Sequence, residues 1–206
     1  MNLPRYRFGA RFYDTLSAER LVYRAGRVAA IELLGLRAGD RVLVVGCGTG
    51  LDLPYLVDAV GPDGQIVGVD ASAAMLRRAA AKVRRGGWGN VRLVHTDATE
   101  LSDVDGLFDA VLFTYSLSVI ENWRGAWDAA SAQLRAGGKV SVVDTDLPTG
   151  AGLLWRPLAA LALWTGGVHR RRKVWELVDA HAQTVTSRRL ASGHIHVAVG
   201  TVGGRR

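Results

Sequence analysis

The sequence predicts a doubly wound α/β fold, with a mostly parallel seven-stranded sheet that ends in a C-terminal antiparallel hairpin. Three observations support this prediction. Short β-branched runs alternate with helical segments, the first run ends in a glycine-rich turn, and two strand-like runs near the C-terminus flank Ala191–Gly193. Strands that alternate with helices at this spacing form a parallel sheet that is covered on both faces.

The strand-like runs are short and apolar, as expected for strands that are buried on both faces. Helices are predicted between them, and Gly61–Gly64 ends the first helix and turns the chain. The last two runs predict the closing hairpin. The predicted strands are 41–45, 65–69, 91–95, 109–113, 139–143, 184–190 and 194–199, and the predicted helices are 51–60, 72–85 and 123–134.

The length of 206 residues suits one domain with a core of its own, so residues 1–206 are predicted to form a single domain. Within it, residues 1–36 are predicted to be a helical lid, because Phe8, Phe12 and Leu16 recur at four-residue spacing. Residues 37–145 are the predicted cofactor-binding core. Residues 146–206 are the predicted substrate or interface segment with the closing hairpin.

The composition is that of a globular protein. Hydrophobic residues make up 49% and charged residues 22%, which argues against disordered and fibrous classes. The net charge of +7 favours an anionic partner, such as nucleic acid, a phosphorylated metabolite or a membrane face. The single cysteine, Cys47, cannot form an internal disulfide, and no signal peptide is recognisable, so a cytoplasmic location is expected.

The predicted first strand runs directly into three glycines at alternate positions, Gly46, Gly48 and Gly50. Glycine lets the backbone turn tightly and lets a ligand approach without a Cβ in the way. A dinucleotide fingerprint has its third small residue one position later, where this chain has Leu51. The turn therefore favours a cofactor without phosphates that lies across the strand ends.

Acidic residues follow the next two predicted strands. Asp70 ends the second strand, where a carboxylate can accept hydrogen bonds from both hydroxyls of a ribose. Asp97 follows the third strand and can accept from an adenine amino group, while the Ala98 backbone N–H meets a ring nitrogen and Met75 stacks on the base. Because ligands of open α/β sheets bind at the carboxyl ends of strands, these residues predict one adenosine site.

In this order and spacing, the motifs resemble those of the class I S-adenosylmethionine-dependent methyltransferases, which have a Rossmann-like fold. The resemblance runs from about Tyr13 to Val199 and also includes Phe108–Thr114 and Leu134–Gly138. It implies S-adenosylmethionine (SAM) as the cofactor and S-adenosylhomocysteine (SAH) as the product. The cofactor-binding residues that it implies are Gly46, Cys47, Gly48, Thr49, Gly50, Asp52, Asp70, Ala71, Met75, Asp97, Ala98, Thr99 and Thr114.

One position departs from the family pattern. The family usually has an acidic residue two positions before the first glycine, which anchors the methionine end of the cofactor, and this chain has Val44 there. Asp52 is expected to replace that acid. The departure also leaves open a non-catalytic module that binds SAM.

Within the superfamily, Tyr23–Arg27, and Thr114–Ile120 followed by Trp123, are similar to bacterial phosphatidylethanolamine and betaine-lipid N-methyltransferases. This similarity implies N-methylation of a phospholipid headgroup or a related amine. Methyl transfer from a sulfonium mainly requires alignment and exclusion of water, so no general base is predicted. The residues expected near the acceptor are Tyr13 and Tyr115, which position it beside the methyl group, and Tyr23, Arg24, Arg27, Ser116 and Ser118, which bind it.

Two other acceptor classes stay open. A soluble small molecule or natural product fits the same motifs. Nucleic acid fits less well, because base-methylating members usually carry an Asn or Asp-Pro-Pro-aromatic run where this chain has Thr114–Leu117, and no appended RNA-binding module is recognisable. A metal is not expected, because His194 and His196 share a strand face without further clustered ligands.

A long apolar run precedes a basic cluster near the C-terminus. Arg156 is the only charged residue in Ala151–Val168, and His169–Lys173 follows. Because Arg156-Pro157 interrupts the run early, a segment that lies in an anionic membrane surface is favoured over one that spans the bilayer. The expectation is thus peripheral association with the inner membrane face, and the alternative is a substrate lid packed on the sheet.

Overall fold

The computed structural model describes residues 23–102, 104–157, 160 and 172–202. Within these residues, the strands are β1 Arg41–Val45, β2 Gln65–Asp70, β3 Val91–His95, β4 Phe108–Thr114, β5 Leu134–Thr145, β6 Ala182–Leu190 and β7 Ile195–Val202. These seven strands form a single sheet in the order β3-β2-β1-β4-β5-β7-β6. Strands β1 to β5 are parallel, and β7 pairs antiparallel with both β5 and β6.

Helices cover both faces of this sheet, so that apolar strand residues are buried on either side. In the described residues, the helices are α1 Arg24–Leu34, α2 Leu53–Val60, α3 Ala73–Gly86, α4 Trp123–Ser131 and α5 Glu176–His181, with a 3-10 helix at Gly150–Trp155. On one face, α1 to α3 pack around a core that includes Val42 and Val44. On the other face, α4 and α5 pack on a core in which Trp127 of α4 joins Phe108 and Phe113 of β4. The predicted fold class is confirmed.

Several predicted boundaries are wrong. The helix predicted at 123–134 ends at Ser131, because Leu134 already pairs with Phe108 and begins β5. Strand β5 is therefore longer than the predicted 139–143, with an irregularity opposite Phe108 and Ala110. In the predicted helical segment 1–36, α1 ends at Leu34, since Gly35 adopts a left-handed conformation at the helix end. Residues 1–22 of that segment lie outside the described residues.

Gly26 lets α1 approach the sheet closely. A Cβ at this position would lie 2.2 Å from Tyr115 Oη and 2.7 Å from Ile195 Cγ2. In an isolated helix, alanine would be more stable than glycine by about 1 kcal/mol. Overpacking of a buried contact typically costs about 1–3 kcal/mol, so steric crowding outweighs the gain in helix propensity.

We therefore expect Gly26→Ala to lower the free energy of unfolding by about 1–2 kcal/mol, measured by urea denaturation. Gly89→Ala serves as the control, because a Cβ there meets nothing within 4 Å, and it should leave stability unchanged or slightly raised. If Gly26→Ala were as stable as Gly89→Ala, α1 would have to tolerate a shift away from β5 and β7.

Among the residues that the structure describes, no helix is long and apolar enough to cross a membrane. Most of the apolar run 151–168 and the start of the basic cluster at 169–171 fall outside them.

Candidate active site

The carboxyl ends of β1, β2 and β4 meet at one edge of the sheet, and β1 runs there into the turn Gly46–Gly50. Gly46, Gly48 and Gly50 all have positive φ, at 69°, 55° and 75°. A Cβ on Gly46 would lie 2.6 Å from Ser116 Cβ, and one on Gly50 would lie 2.7 Å from Leu53 Cδ1. A Cβ on Gly48 would meet nothing within 4 Å. Two of the glycines are therefore needed for packing, whereas Gly48 borders open space in which a ligand can approach the backbone.

Lysine from α3 holds this turn in place. Lys82 Nζ donates to the carbonyl oxygen of Thr49 at 2.9 Å and to its hydroxyl at 3.2 Å. Lys82 had no predicted role. Its position three residues after the buried Ala79, and seven after the buried Met75, was the available signal, since such positions share one helix face.

Asp70 links the end of β2 to the glycine turn. Its Oδ2 accepts from the Gly48 N–H and its Oδ1 from the Ser72 N–H, each at 2.8 Å. Burial raises the pKa of this carboxyl above its usual value, while the two backbone donors act in the opposite direction. Each carboxylate oxygen has a second lone pair, so the group can hold the turn and still accept from ligand hydroxyls.

Asp97 lies in the turn after β3. Its Oδ1 accepts from the Thr99 backbone N–H at 2.9 Å and from the Thr99 hydroxyl at 2.7 Å. Within the described part of the chain, only this oxygen of Asp97 has a hydrogen-bond donor. His95 Nε2 lies 3.0 Å from the Ala71 carbonyl oxygen and so ties the segment after β2 to the end of β3. The structure therefore brings Ala71, Asp97 and Thr99 to the same edge as Asp70.

The predicted anchor Asp52 is paired with a residue that was predicted to bind substrate. Arg27 Nη1 donates to Asp52 Oδ1 at 2.6 Å, and the two side chains are only 6% and 5% exposed. Val44, at the position of the usual family acid, is fully buried in the core. A buried carboxylate thus lies beside the glycine turn. It belongs to Asp52 at the start of α2, however, and it is paired with the guanidinium of Arg27 in α1.

Thr114 ends β4 beside these groups. It is 7% exposed, and its Oγ1 is buried without a hydrogen-bond partner in the described structure. A buried hydroxyl without a partner is unfavourable, so a polar group of a ligand would satisfy it. Together with the open space at Gly48, this hydroxyl fits the predicted cofactor.

Cys47 lies in the turn as a packing residue. Burial, followed by the charges of Asp70 and Asp52, raises the pKa of its thiol well above the usual range. The thiol therefore stays protonated and is a poor nucleophile. Met75, which was predicted to stack on adenine, is buried in the first turn of α3, where its N–H donates to Ser72 Oγ at 3.4 Å.

On the β4 side of the edge, Tyr115 contacts the beginning of α1. It has a positive φ of 51°, which is uncommon for a residue other than glycine. Its hydroxyl donates to the Tyr23 carbonyl oxygen at 2.9 Å, and the two rings meet edge to face at 5.1 Å. The Arg27 guanidinium carbon lies 5.8 Å from the centre of the Tyr115 ring. Arg24 points elsewhere, since its Nε donates to Tyr55 Oη at 3.0 Å.

The two predicted substrate serines both bond to the protein itself. Ser116 Oγ donates to the Val45 carbonyl oxygen at 2.7 Å, and Ser118 Oγ donates to Asp144 Oδ1 at 2.8 Å. Both serines are buried. Asp144 had no predicted role. The structure thus makes these serines internal contacts of the loop after β4, and their binding of substrate stays a prediction.

Tyr13, which was predicted to position the acceptor, lies outside the described residues. In the described part of the chain, no group of three or more His, Cys, Asp or Glu side chains is arranged to hold a metal ion. His194 Nδ1 contacts the Asp146 carbonyl oxygen at 2.5 Å, and His196 stacks on Trp175 at 4.1 Å.

Comparison with known proteins agrees with this geometry. Residues 42–138 match the family model described as "Methyltransferase domain". A demethylmenaquinone methyltransferase of Staphylococcus aureus is 35% identical over 139 residues, which are 68% of this chain and 56% of the relative. The chain therefore spans little more than half the length of the curated relatives that it matches.

Solved structures show the same fold. A SAM-dependent methyltransferase from Aquifex aeolicus covers 98% of this chain and 100% of its own, with a TM-score of 0.66 and 17% identity. The N-methyltransferase NodS from Bradyrhizobium japonicum covers 93% of this chain and 99% of its own, with a TM-score of 0.63 and 18% identity. The predictions of a class I methyltransferase fold, of a methyltransferase domain within the chain and of SAM as its cofactor are confirmed, and the single domain over residues 1–206 stays a prediction. The finer similarity to phospholipid N-methyltransferases is not shown.

Proposed function

We propose, on the premise that residues 42–138 are a SAM-dependent methyltransferase domain, that the whole protein transfers the methyl group to a small molecule. The observation that carries this proposal is the joint arrangement of Asp70 and the turn Gly46–Gly50. A carboxylate at the end of β2 accepts from the Gly48 N–H, and a Cβ at Gly48 would enter open space. This arrangement supports an adenosine cofactor at the sheet edge.

Different residues at this edge would bind the ribose, the adenine and the methionine end of SAM. Asp70 would accept from the ribose hydroxyls, and Asp97 with the Ala98 N–H would bind the adenine. The Arg27–Asp52 pair is complementary to the carboxylate and ammonium groups at the methionine end, where Val44 supplies no acid. When bound, SAM supplies an electrophilic methyl group on a positively charged sulfur. The protein then has to align the acceptor and exclude water.

Two observations favour a small apolar acceptor. Tyr23 and Tyr115 form an aromatic contact on the β4 side of the edge, which suits a planar apolar molecule. The relative from S. aureus is named for demethylmenaquinone, and its similarity extends over 68% of this chain. A reduced naphthoquinone is therefore the first acceptor to test.

N-Methylation of a phospholipid headgroup is the second candidate. The apolar run 151–168 and the following basic cluster favour it, and Leu153 within that run is 56% exposed. Two cations of the cluster have protein partners, however. Arg172 Nη1 donates to the Ile120 carbonyl oxygen at 2.5 Å, and Lys173 Nζ lies 3.5 Å from Glu176 Oε1. Attraction to an anionic membrane would therefore depend mainly on Arg170 and Arg171.

The two candidates can be separated by incubating the purified protein with methyl-labelled SAM and one acceptor at a time. The acceptors are a short-chain demethylated naphthoquinol, phosphatidylethanolamine in anionic vesicles, and bulk tRNA. We expect label in the naphthoquinol, at least tenfold above the sample without acceptor, with an equal amount of SAH formed. Recovery of the protein with the sedimented vesicles measures membrane binding in the same samples.

Label in the phosphatidylethanolamine alone would favour the second candidate, and label in tRNA alone would contradict both. Binding of SAH without turnover of any acceptor would favour a non-catalytic module. Asp70→Ala is the control for background transfer, because it removes the carboxylate proposed to hold the ribose.

A further inference from the structure

The loop between β4 and α4, residues 115–122, packs against the start of the turn Gly46–Gly50. Ser116 Cβ packs directly under Gly46, where an added Cβ would lie only 2.6 Å away. The Ser116 hydroxyl donates to the carbonyl oxygen of Val45, the last residue of β1, at 2.7 Å. The β4–α4 loop therefore helps to position the start of the glycine turn, in addition to Lys82 and Asp70.

A carboxylate at the end of β5 holds the loop. Asp144 Oδ2 accepts from the Ser118 backbone N–H at 3.1 Å, and its Oδ1 accepts from the Ser118 hydroxyl at 2.8 Å. Oδ1 also accepts from the Thr145 N–H at 2.8 Å. Asp144 is only 1% exposed, so these three donors satisfy it in place of water.

Arg172 also binds the β4–α4 loop, through two of its carbonyl oxygens. Its Nη1 contacts the carbonyl oxygens of Ser118 and Ile120 at 3.4 and 2.5 Å. Ser118 thus has its N–H and hydroxyl bonded to a buried anion, and its carbonyl bonded to a cation. Such an arrangement fixes a loop more strongly than neutral contacts do, because hydrogen bonds to charged groups are stronger.

We propose that Asp144 is a positioning residue for SAM, acting through Ser118 and the β4–α4 loop on the turn Gly46–Gly50. It does not touch the cofactor. The proposal rests on SAM binding by the methyltransferase domain and is independent of the acceptor. The sequence pattern does not identify Asp144 as a functional residue, because it only shows an acidic residue directly after the predicted strand 139–143.

The ionised form of Asp144 is the one that fits the three donors. Burial raises the pKa of its carboxyl to about 6, although the hydrogen bonds from Ser118 and Thr145 act in the opposite direction. Below that pH the group takes up a proton and loses the charge that strengthens its bonds to Ser118. Other charged or titratable groups on the surrounding elements are Arg172 and Lys173 before α5, Asp146 after β5, and His194 and His196 around the start of β7.

Asp144→Asn tests the proposal, because asparagine has the shape of a protonated aspartic acid. At pH 7.5 its NH2 group must face either the Ser118 N–H or the Thr145 N–H, so one of these donors loses its acceptor. We therefore expect SAH affinity, measured by calorimetry, to fall about tenfold. At pH 5 most of the wild-type carboxyl is protonated as well, so the difference in SAH affinity between the two proteins should become smaller. Asp70 also titrates, but it is present in both proteins and does not affect their ratio.

Two further variants show whether the effect is specific. Ser118→Ala removes only the hydroxyl donor and should weaken SAH binding about threefold at pH 7.5. Asp109→Asn is the matched control, because Asp109 Oδ2 also accepts a backbone N–H, that of Arg41 at 2.7 Å, but at the opposite edge of the sheet. It should leave SAH affinity unchanged within twofold.

Amide hydrogen exchange without ligand tests the loop contact separately. In Asp144→Asn, exchange at the Ser118 or the Thr145 amide should become at least tenfold faster at pH 7.5, while circular dichroism shows a folded protein. Unchanged exchange at both amides together with unchanged SAH affinity at pH 7.5 would overturn the proposal. Failure of the wild-type protein to bind SAH would contradict the cofactor assignment instead, and the exchange result would still show whether Asp144 holds the loop.

Discussion

Asp52→Ala is expected to lower the free energy of unfolding by about 3–5 kcal/mol, because it leaves the Arg27 guanidinium buried without its carboxylate. The two side chains are almost completely excluded from water, and their closest atoms are 2.6 Å apart. For a chain of this size, the loss corresponds to a decrease in Tm of about 6–20 °C. Thermal unfolding without ligand measures it.

The exposed pair Lys173–Glu176 provides a matched control. Its side chains are 60% and 61% exposed, so Glu176→Ala should cost at most about 1 kcal/mol. The double variant Arg27→Met, Asp52→Leu removes both charges and should recover most of the stability. If Asp52→Ala were no less stable than Glu176→Ala, the prediction would be wrong, because the Arg27 guanidinium would have to be hydrated in the variant.

The double variant also separates stability from cofactor binding. If the Arg27–Asp52 pair binds the methionine end of SAM, SAH affinity should stay low even though stability recovers. Recovery of both would mean that the pair only joins α1 to α2, and that the methionine end is bound by the backbone of the glycine turn.

Asp70→Ala is expected to weaken SAH binding by about 10- to 100-fold. Hydrogen bonds to a charged group contribute about 1.5–3 kcal/mol each, and a tenfold change in affinity corresponds to about 1.4 kcal/mol. The substitution also removes the acceptor for the Gly48 and Ser72 N–H groups, which loosens the turn itself. Calorimetric titration with SAH gives the affinity directly.

Asp58→Ala is the control for the change in net charge, because Asp58 is an exposed residue of α2. Its SAH affinity should equal that of the wild-type protein. Asp97→Asn should weaken binding less than Asp70→Ala does, since adenine can also be bound by backbone groups. A larger effect of Asp97→Asn would mean that the ribose and adenine assignments are exchanged, and an unchanged affinity of Asp70→Ala would exclude it from the ribose site.

Much of the fold could be predicted because its signals are local. The β-branched runs and the alternating glycines Gly46, Gly48 and Gly50 depend on backbone preferences of a few consecutive residues. The extension of β5 to Leu134 could not be predicted in this way, because pairing with Phe108 on the neighbouring strand decided it. Pairing between strands overrides the local helical pattern that continues past Ser131.

The sequence by itself determined the order of strands and helices, the glycine turn, and the placement of Asp70 and Asp97 at the ends of adjacent strands. Only the tertiary structure decided which polar groups meet: Arg27 with Asp52, Ser118 with Asp144, and Lys82 with Thr49. These partners lie 25, 26 and 33 residues apart in the chain. No local pattern encodes such contacts, because they depend on how helices and loops pack on the sheet and on which buried groups must satisfy one another away from water.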